Sequence, residues 1–148
     1  MMAENRKVTV ISEVNNEVFK FVAEMYDDKH PELCNEIWKH LPFDSQWVHA
    51  MVSGGVIYGP APIIGIGLAE SSYKTTWSQA PIGTMSFSPW FHDLSVKYGQ
   101  CTETLTVAPW GIVVEGIDTL KRLGNLVWNS NVYTKEIVKV KYLKGADA

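Results

Sequence analysis

Trp110–Gly124, WGIVVEGIDTLKRLG, joins an apolar strand to a helix within fifteen residues. The run TLTVAPWGIVVEG is rich in β-branched and aromatic residues, as a buried strand requires. In GIDTLKRLGN the spacing changes: Ile117, Leu120 and Leu123 fall on one side of a short helix, with Gly124 read as its C-terminal stop.

Working outward, most of the chain reads as strands. KVTVISEV and EVFKFVAEMY alternate apolar and polar residues around Asn15-Asn16, a pair that tolerates the positive φ of a tight hairpin turn. DDKHPELCNEIWKHLPF predicts one amphipathic helix, with Asp28 as N-cap, Pro31 in the first turn, and Leu33, Ile37, Trp38 and Leu41 at helical spacing up to Pro42. QWVHAMVSGGVIYG, APIIGIGLAE, TMSFSPW, LSVKYG and VYTKEIVKVKYL supply further strands, and the polar SSYKTTWSQAPIG lies between them. Many strands at short intervals with two helices predict a mainly β protein: a closed antiparallel β-barrel with two short capping helices, since closure removes exposed edges. The 148 residues, 46% hydrophobic, match one domain spanning 1–148.

Composition narrows the partners. A net charge of -3 with dispersed Lys and Arg leaves no footprint for nucleic acid, and no apolar run reaches membrane-span length. MMAENRKVTV lacks the apolar centre of a secretory signal, so a cytoplasmic location is expected. Cys34 and Cys101 have no CxxC or Cys/His spacing and read as free thiols; Cys101, in YGQCTET, lacks the cationic setting that activates a nucleophile.

Several segments together resemble cyclophilins. WGIVVEGIDTLKRLG is similar to their late strand-to-helix segment, EVFKFVAEMYDDKHPELCNEIWKHLP to their second strand and first helix, and GTMSFSPW to the glycine-led strand opening the second half of the barrel. The resemblance covers most of the chain in order and implies a cyclophilin-like fold, nearest to small bacterial cyclophilin-like domains without isomerase function. QWVHAMVSGGVIYG stands where the isomerases keep a catalytic arginine and contains none, and SPWFHDLSVKYGQ replaces their asparagine-rich and Gly-Ser-Gln-Phe-Phe segment. Prolyl isomerase activity is therefore not expected. The resemblance extends to cucumopine synthase, whose cyclophilin-like domain is associated with a Pictet-Spengler condensation of an amino acid with a keto acid.

No phosphate loop, GxSxG elbow, HExxH or dinucleotide fingerprint is present, and the four histidines lack metal spacing, so neither cofactor nor metal is expected. His30 and His40 belong to the ends of the first helix and are read as facing water. Trp47, His49 and Met51 share one strand face beside Gly54-Gly55, which reads either as a satisfied core or as the wall of a site. His92 stands beside Trp90 and Asp93 in a loop, where Asp93 also reads as a simple turn cap. Trp47, Trp77, Trp90 and Trp110 are candidate aromatic walls for a planar ligand, or large side chains filling the barrel. Glu103, Glu24 and Glu70 are candidate carboxylates for acid-base work, and Tyr58 and Tyr98 candidate donors.

The leading expectation is a cofactor-independent small-molecule enzyme. His49 or Glu103 is the base, Tyr58 a donor, and Trp47, Trp90, His92, Met51 and Trp110 bind the substrate. A non-catalytic module binding a small ligand or peptide is the alternative, and a homo-oligomer that uses its aromatics as an interface is the third reading.

Overall fold

The computed structural model describes residues 4–63, 74–88 and 92–147. Among these, nine strands and two helices follow in the order β1 (Lys7–Val14), β2 (Glu17–Met25), α1 (Pro31–His40), β3 (Phe43–His49), β4 (Gly54–Pro60), β5 (Thr75–Thr76), β6 (Thr84–Ser88), β7 (Asp93–Cys101), β8 (Thr106–Glu115), α2 (Ile117–Asn129) and β9 (Val138–Lys144). The strands hydrogen-bond in the order β2-β1-β9-β3-β4-β7-β6-β8, and β8 returns to β2. This is the predicted closed antiparallel barrel, with the two-residue β5 added on β8.

Local chemistry sets its turns. Asn15 and Asn16 adopt φ of 52° and 66°, and β1 pairs with β2 without a slip from Val14↔Glu17 to Lys7↔Glu24. The β2–β8 closure depends on Gly111, since a Cβ there would come within 2.7 Å of the Glu24 carbonyl oxygen. The inward residues, including Val8, Val10, Phe21, Trp47, Trp110 and Tyr142, fill the interior. The two helices supply apolar faces at opposite ends of β3: α1 leads into it through Leu33, Cys34 and Ile37, and α2 packs on its far end and on β2, β4 and β7 through Leu120, Leu123 and Val127.

Three local expectations need correction. The N-cap of α1 is His30, not Asp28, because the preceding turn closes on Tyr26: the Lys29 and His30 amides both donate to the Tyr26 carbonyl. For the same reason His30 does not face water; it is buried, and its Nε2 has no partner among the described residues. Gly124 does not stop α2, which runs on to Asn129 and a single π-helical turn over Ser130–Thr134. That glycine makes room for a neighbour, since a Cβ there would meet the Tyr98 ring at 2.4 Å.

APIIGIGLAE beyond Ile63, with Glu70, lies outside the described residues, as does Trp90. Among the described residues no helix is long and apolar enough to cross a membrane.

Candidate functional site

Strand β7 carries two chemistries because its side chains alternate across the barrel wall. Leu94 and Val96 belong to the inner core, and Tyr98 packs against that core where α2 covers the barrel end.

There the Tyr98 hydroxyl meets His49 Nε2 at 2.5 Å, and His49 Nδ1 meets the Ala50 carbonyl oxygen at 2.6 Å. A carbonyl only accepts, so Nδ1 carries the proton and Nε2 accepts from Tyr98. Burial lowers the His49 pKa against the opposing pull of the Ala50 bond, and burial raises that of Tyr98, so both groups stay neutral near pH 7. The His49 amide donates to Asn131 Oδ1 at 3.1 Å, and Trp128 meets the imidazole edge-on at 4.9 Å. Both ring nitrogens of His49, the Tyr98 hydroxyl and the Asn131 amide are partnered.

The outer side of the same strand presents Asp93, Ser95 and Lys97. Register sets Pro60 and Ser88 on either side of Asp93, Tyr58 and Ser86 on either side of Ser95, and Val56 beside Lys97. Thr84 lies on the same side of β6, two residues before Ser86. All of these except Val56 and Pro60 are polar, yet Thr84, Ser86, Asp93, Ser95 and Lys97 are all buried. The turn from Trp77 to Pro81 supplies part of the cover. Lys97 Nζ donates to the Trp77 and Ala80 carbonyls at 2.6 and 2.7 Å, Thr84 Oγ1 donates to the Pro81 carbonyl at 2.7 Å, and Trp77 and Ala80 pack on Val56, Cys101 and Val107.

This covered polar face has unsatisfied members. Ser86 Oγ is wholly buried with no partner among the described residues. Burial pushes the Asp93 carboxyl up to about 6, against a smaller downward pull from His92. Its charge is also felt across the wall at the core residue Tyr142, whose pKa is raised, first by its own burial, and whose hydroxyl, like Trp110 Nε1, has no partner among the described residues.

The sequence-derived candidates do not form one cluster. Trp47 and Trp110 are core residues, Trp47 donating to Ser12 Oγ at 2.9 Å. His49 shares the inner side with its register partner Ile57, whereas Tyr58, opposite Val48, lies on the outer side. Met51 is 68% exposed in the β3–β4 loop. Glu103 lies in the β7–β8 loop, where its Oε1 accepts from the Leu105 amide at 3.1 Å. His92 is exposed beside Asp93, with φ of 52° and its Nδ1 3.3 Å from the Ile63 carbonyl oxygen. The candidate set therefore contributes Tyr58 and the neighbouring His92 to the outer face, and His49 to the inner cluster.

Sequence reasoning passed over Asp93, Ser95 and Lys97 as chemistry. Their alternation with Leu94, Val96 and Tyr98 is visible in DLSVKY, but nothing local reveals that the polar side is covered. Among the described residues no three His, Cys, Asp or Glu side chains converge to hold a metal. A separate open groove of about 430 Å³ lies by Arg6, Asp27 and Asn35. Its arginine is already held by Asp27 at 2.6 Å and by Asn35 at 2.8 Å.

A family model described as a protein of unknown function, DUF3830, matches residues 13–79. The structure of McbB in complex with tryptophan is 32% identical, with a TM-score of 0.84 over 94% of this chain. The chain spans only 45% of the McbB chain. A cyclophilin type peptidyl-prolyl cis-trans isomerase of Cryptosporidium parvum matches 97% of this chain and 99% of its own at 14% identity and a TM-score of 0.61. The Mimivirus cyclophilin matches 96% of this chain and 88% of its own at 12% identity and a TM-score of 0.52. No curated protein matches. The chain has the cyclophilin-like fold.

Proposed function

We propose that this cyclophilin-like chain is a cofactor-independent small-molecule enzyme that joins an aromatic amine or amino acid to a carbonyl compound by a Pictet-Spengler cyclisation. Its working surface is the covered outer face of β4, β7 and β6. One observation carries the reading: a barrel wall that has a full apolar core on its inner side also buries a carboxyl, an ammonium and three hydroxyls on its outer side. Burying such groups works against folding, and sites that shift acid-base behaviour are where proteins tolerate it. The likeness to McbB, solved with tryptophan, supports the substrate class.

Asp93 is the acid-base group of this proposal. The amine adds to the carbonyl carbon, and the resulting carbinolamine loses its hydroxyl as water on taking the Asp93 proton. The aromatic carbon then attacks the iminium carbon, forming the new C–C bond, and the ring proton returns to the carboxylate. Proton and electron counts close with no redox partner. A carboxyl held near pH 6 suits both halves, giving up a proton readily and accepting one near neutrality. In this reading Tyr58, half-buried across from Ser95, supplies a hydrogen bond to the carbonyl oxygen.

The second reading, a module that captures a ligand without turning it over, is favoured by the cover that Lys97 and Thr84 hold in place. Replacing Asp93 by Asn separates the two. For an enzyme, product formation from tryptophan and an aldehyde collapses while tryptophan affinity is kept; for a binder, affinity alone changes and the unmodified protein forms no product.

A further inference from the structure

We infer that Lys97 is the anchor for a substrate carboxylate, so that this face selects an α-amino acid over the corresponding decarboxylated amine. This rests on the reading above insofar as the same face is the working surface.

The buried Lys97 side chain carries three N–H donors, of which two go to the Trp77 and Ala80 carbonyls. Neutral carbonyl dipoles orient an ammonium but do not cancel its charge. Among the described residues no carboxylate lies within ion-pair distance of Nζ. Val56 lies across the strand, the Trp77 and Ala80 side chains pack with Val56, Cys101 and Val107, and the nearby Thr84 hydroxyl is already given to the Pro81 carbonyl. A buried cation with one donor to spare and no counter-ion among the described residues has the form of an incomplete ion pair.

The missing partner has a direction. Ser95 lies next along the same face, and its neighbour Ser86 holds a wholly buried hydroxyl with no partner among the described residues. A carboxylate between them takes the spare Lys97 donor on one oxygen and the Ser86 hydroxyl on the other.

The competing role for Lys97 is purely mechanical, as a clamp on the Trp77–Ala80 turn. Tryptophan and tryptamine, which differ only in the carboxylate, distinguish the two roles, with binding measured by calorimetry on the full chain and on Lys97→Met and Lys97→Arg. The unmodified protein is expected to bind tryptophan about 10- to 100-fold more tightly than tryptamine, the range of a charge-assisted contact. Lys97→Met brings the two affinities together, and Lys97→Arg keeps part of the preference. Equal affinities in the unmodified protein, binding of neither amine, or a parallel loss of both in Lys97→Met overturns the inference. Circular dichroism identifies a variant that has merely unfolded, in which case Lys97→Arg and the unmodified protein decide. Product formation with an aldehyde is scored separately: tryptophan selectivity without product leaves the anchor standing and defeats the cyclase reading.

Discussion

The two faces of β7 differ by one residue in sequence and by everything in chemistry. On the inner face Tyr98 donates to His49, His49 donates to Ala50, and α2 closes over both with a glycine at the point of contact. On the outer face Asp93, Lys97 and Ser86 are buried as deeply, but their charges and hydroxyls lack full answers among the described residues. A satisfied buried network holds the fold together, whereas an unsatisfied one costs stability. The contrast is local to β7, since elsewhere in the interior Trp110 Nε1 and the Tyr142 hydroxyl are also buried without partners among the described residues, and the proposed chemistry stands on the outer face because a carboxyl and an ammonium are buried there.

The sharpest break is Asp93→Asn. Turnover of tryptophan with an aldehyde is expected to fall about 10²- to 10⁴-fold, the span of a lost acid-base group. Stability should move the other way, rising by about 1–3 kcal/mol at pH 7 in urea denaturation. The sign follows from the raised pKa. Folded Asp93 holds its proton up to about 6, and the unfolded carboxyl releases it from 3.8, so the folded state binds more protons between those values. Wild-type stability therefore declines as pH rises through that window, and Asp93→Asn removes that contribution. A variant that loses both activity and stability sinks the assignment.

Gly124→Ala probes the inner face. Its Cβ would overlap three Tyr98 ring atoms at 2.4–2.5 Å, so a loss of about 1–3 kcal/mol is expected, read as a lower thermal midpoint. Tyr98→Leu in the same background should recover part of it, and strict additivity of the two changes would show that they do not touch.

Tyr98→Phe leaves His49 Nε2 without its donor and should cost about 1–2 kcal/mol. Turnover measured on the same preparation tests the division of labour, since a collapse there would move the chemistry to the inner face. His49→Gln carries a matching pH signature. Burial lowers the folded His49 pKa below 6.5, so the unfolded state binds more protons as pH falls through 6.5 and the native protein loses stability there. The variant should lack that loss.

The smallest effect belongs to the surface. Arg122 reaches Glu17 at 2.6 Å with both side chains more than half exposed, and Arg122→Ala should change stability by less than about 1 kcal/mol.

What was legible in the sequence was whatever local chemistry decides. Asn15-Asn16 announced the first hairpin, Leu33 and Ile37 the buried side of α1, and the count of alternating strands the closed barrel. Gly124 was misread because its role is set by Tyr98, twenty-six residues away, and a glycine in GIDTLKRLGN looks the same whether it ends a helix or admits a ring. His30 was misread because the hydrogen bonds that draw it inward converge on the Tyr26 carbonyl. The outer face stayed hidden for a related reason. DLSVKY alternates as any half-exposed strand does, and only the covering turn converts its polar side from solvated to buried.

The two thiols give that architecture a built-in clock. Cys34 lies on the buried face of α1, its Sγ 3.4 Å from the Trp110 carbonyl oxygen and its pKa pushed up to about 12 by burial, while Cys101 lies under the turn that Lys97 holds. Alkylation followed by mass spectrometry times the opening of each region separately. Cys101 should label first whenever the turn swings away, long before Cys34, on the core side of α1, surrenders to global unfolding.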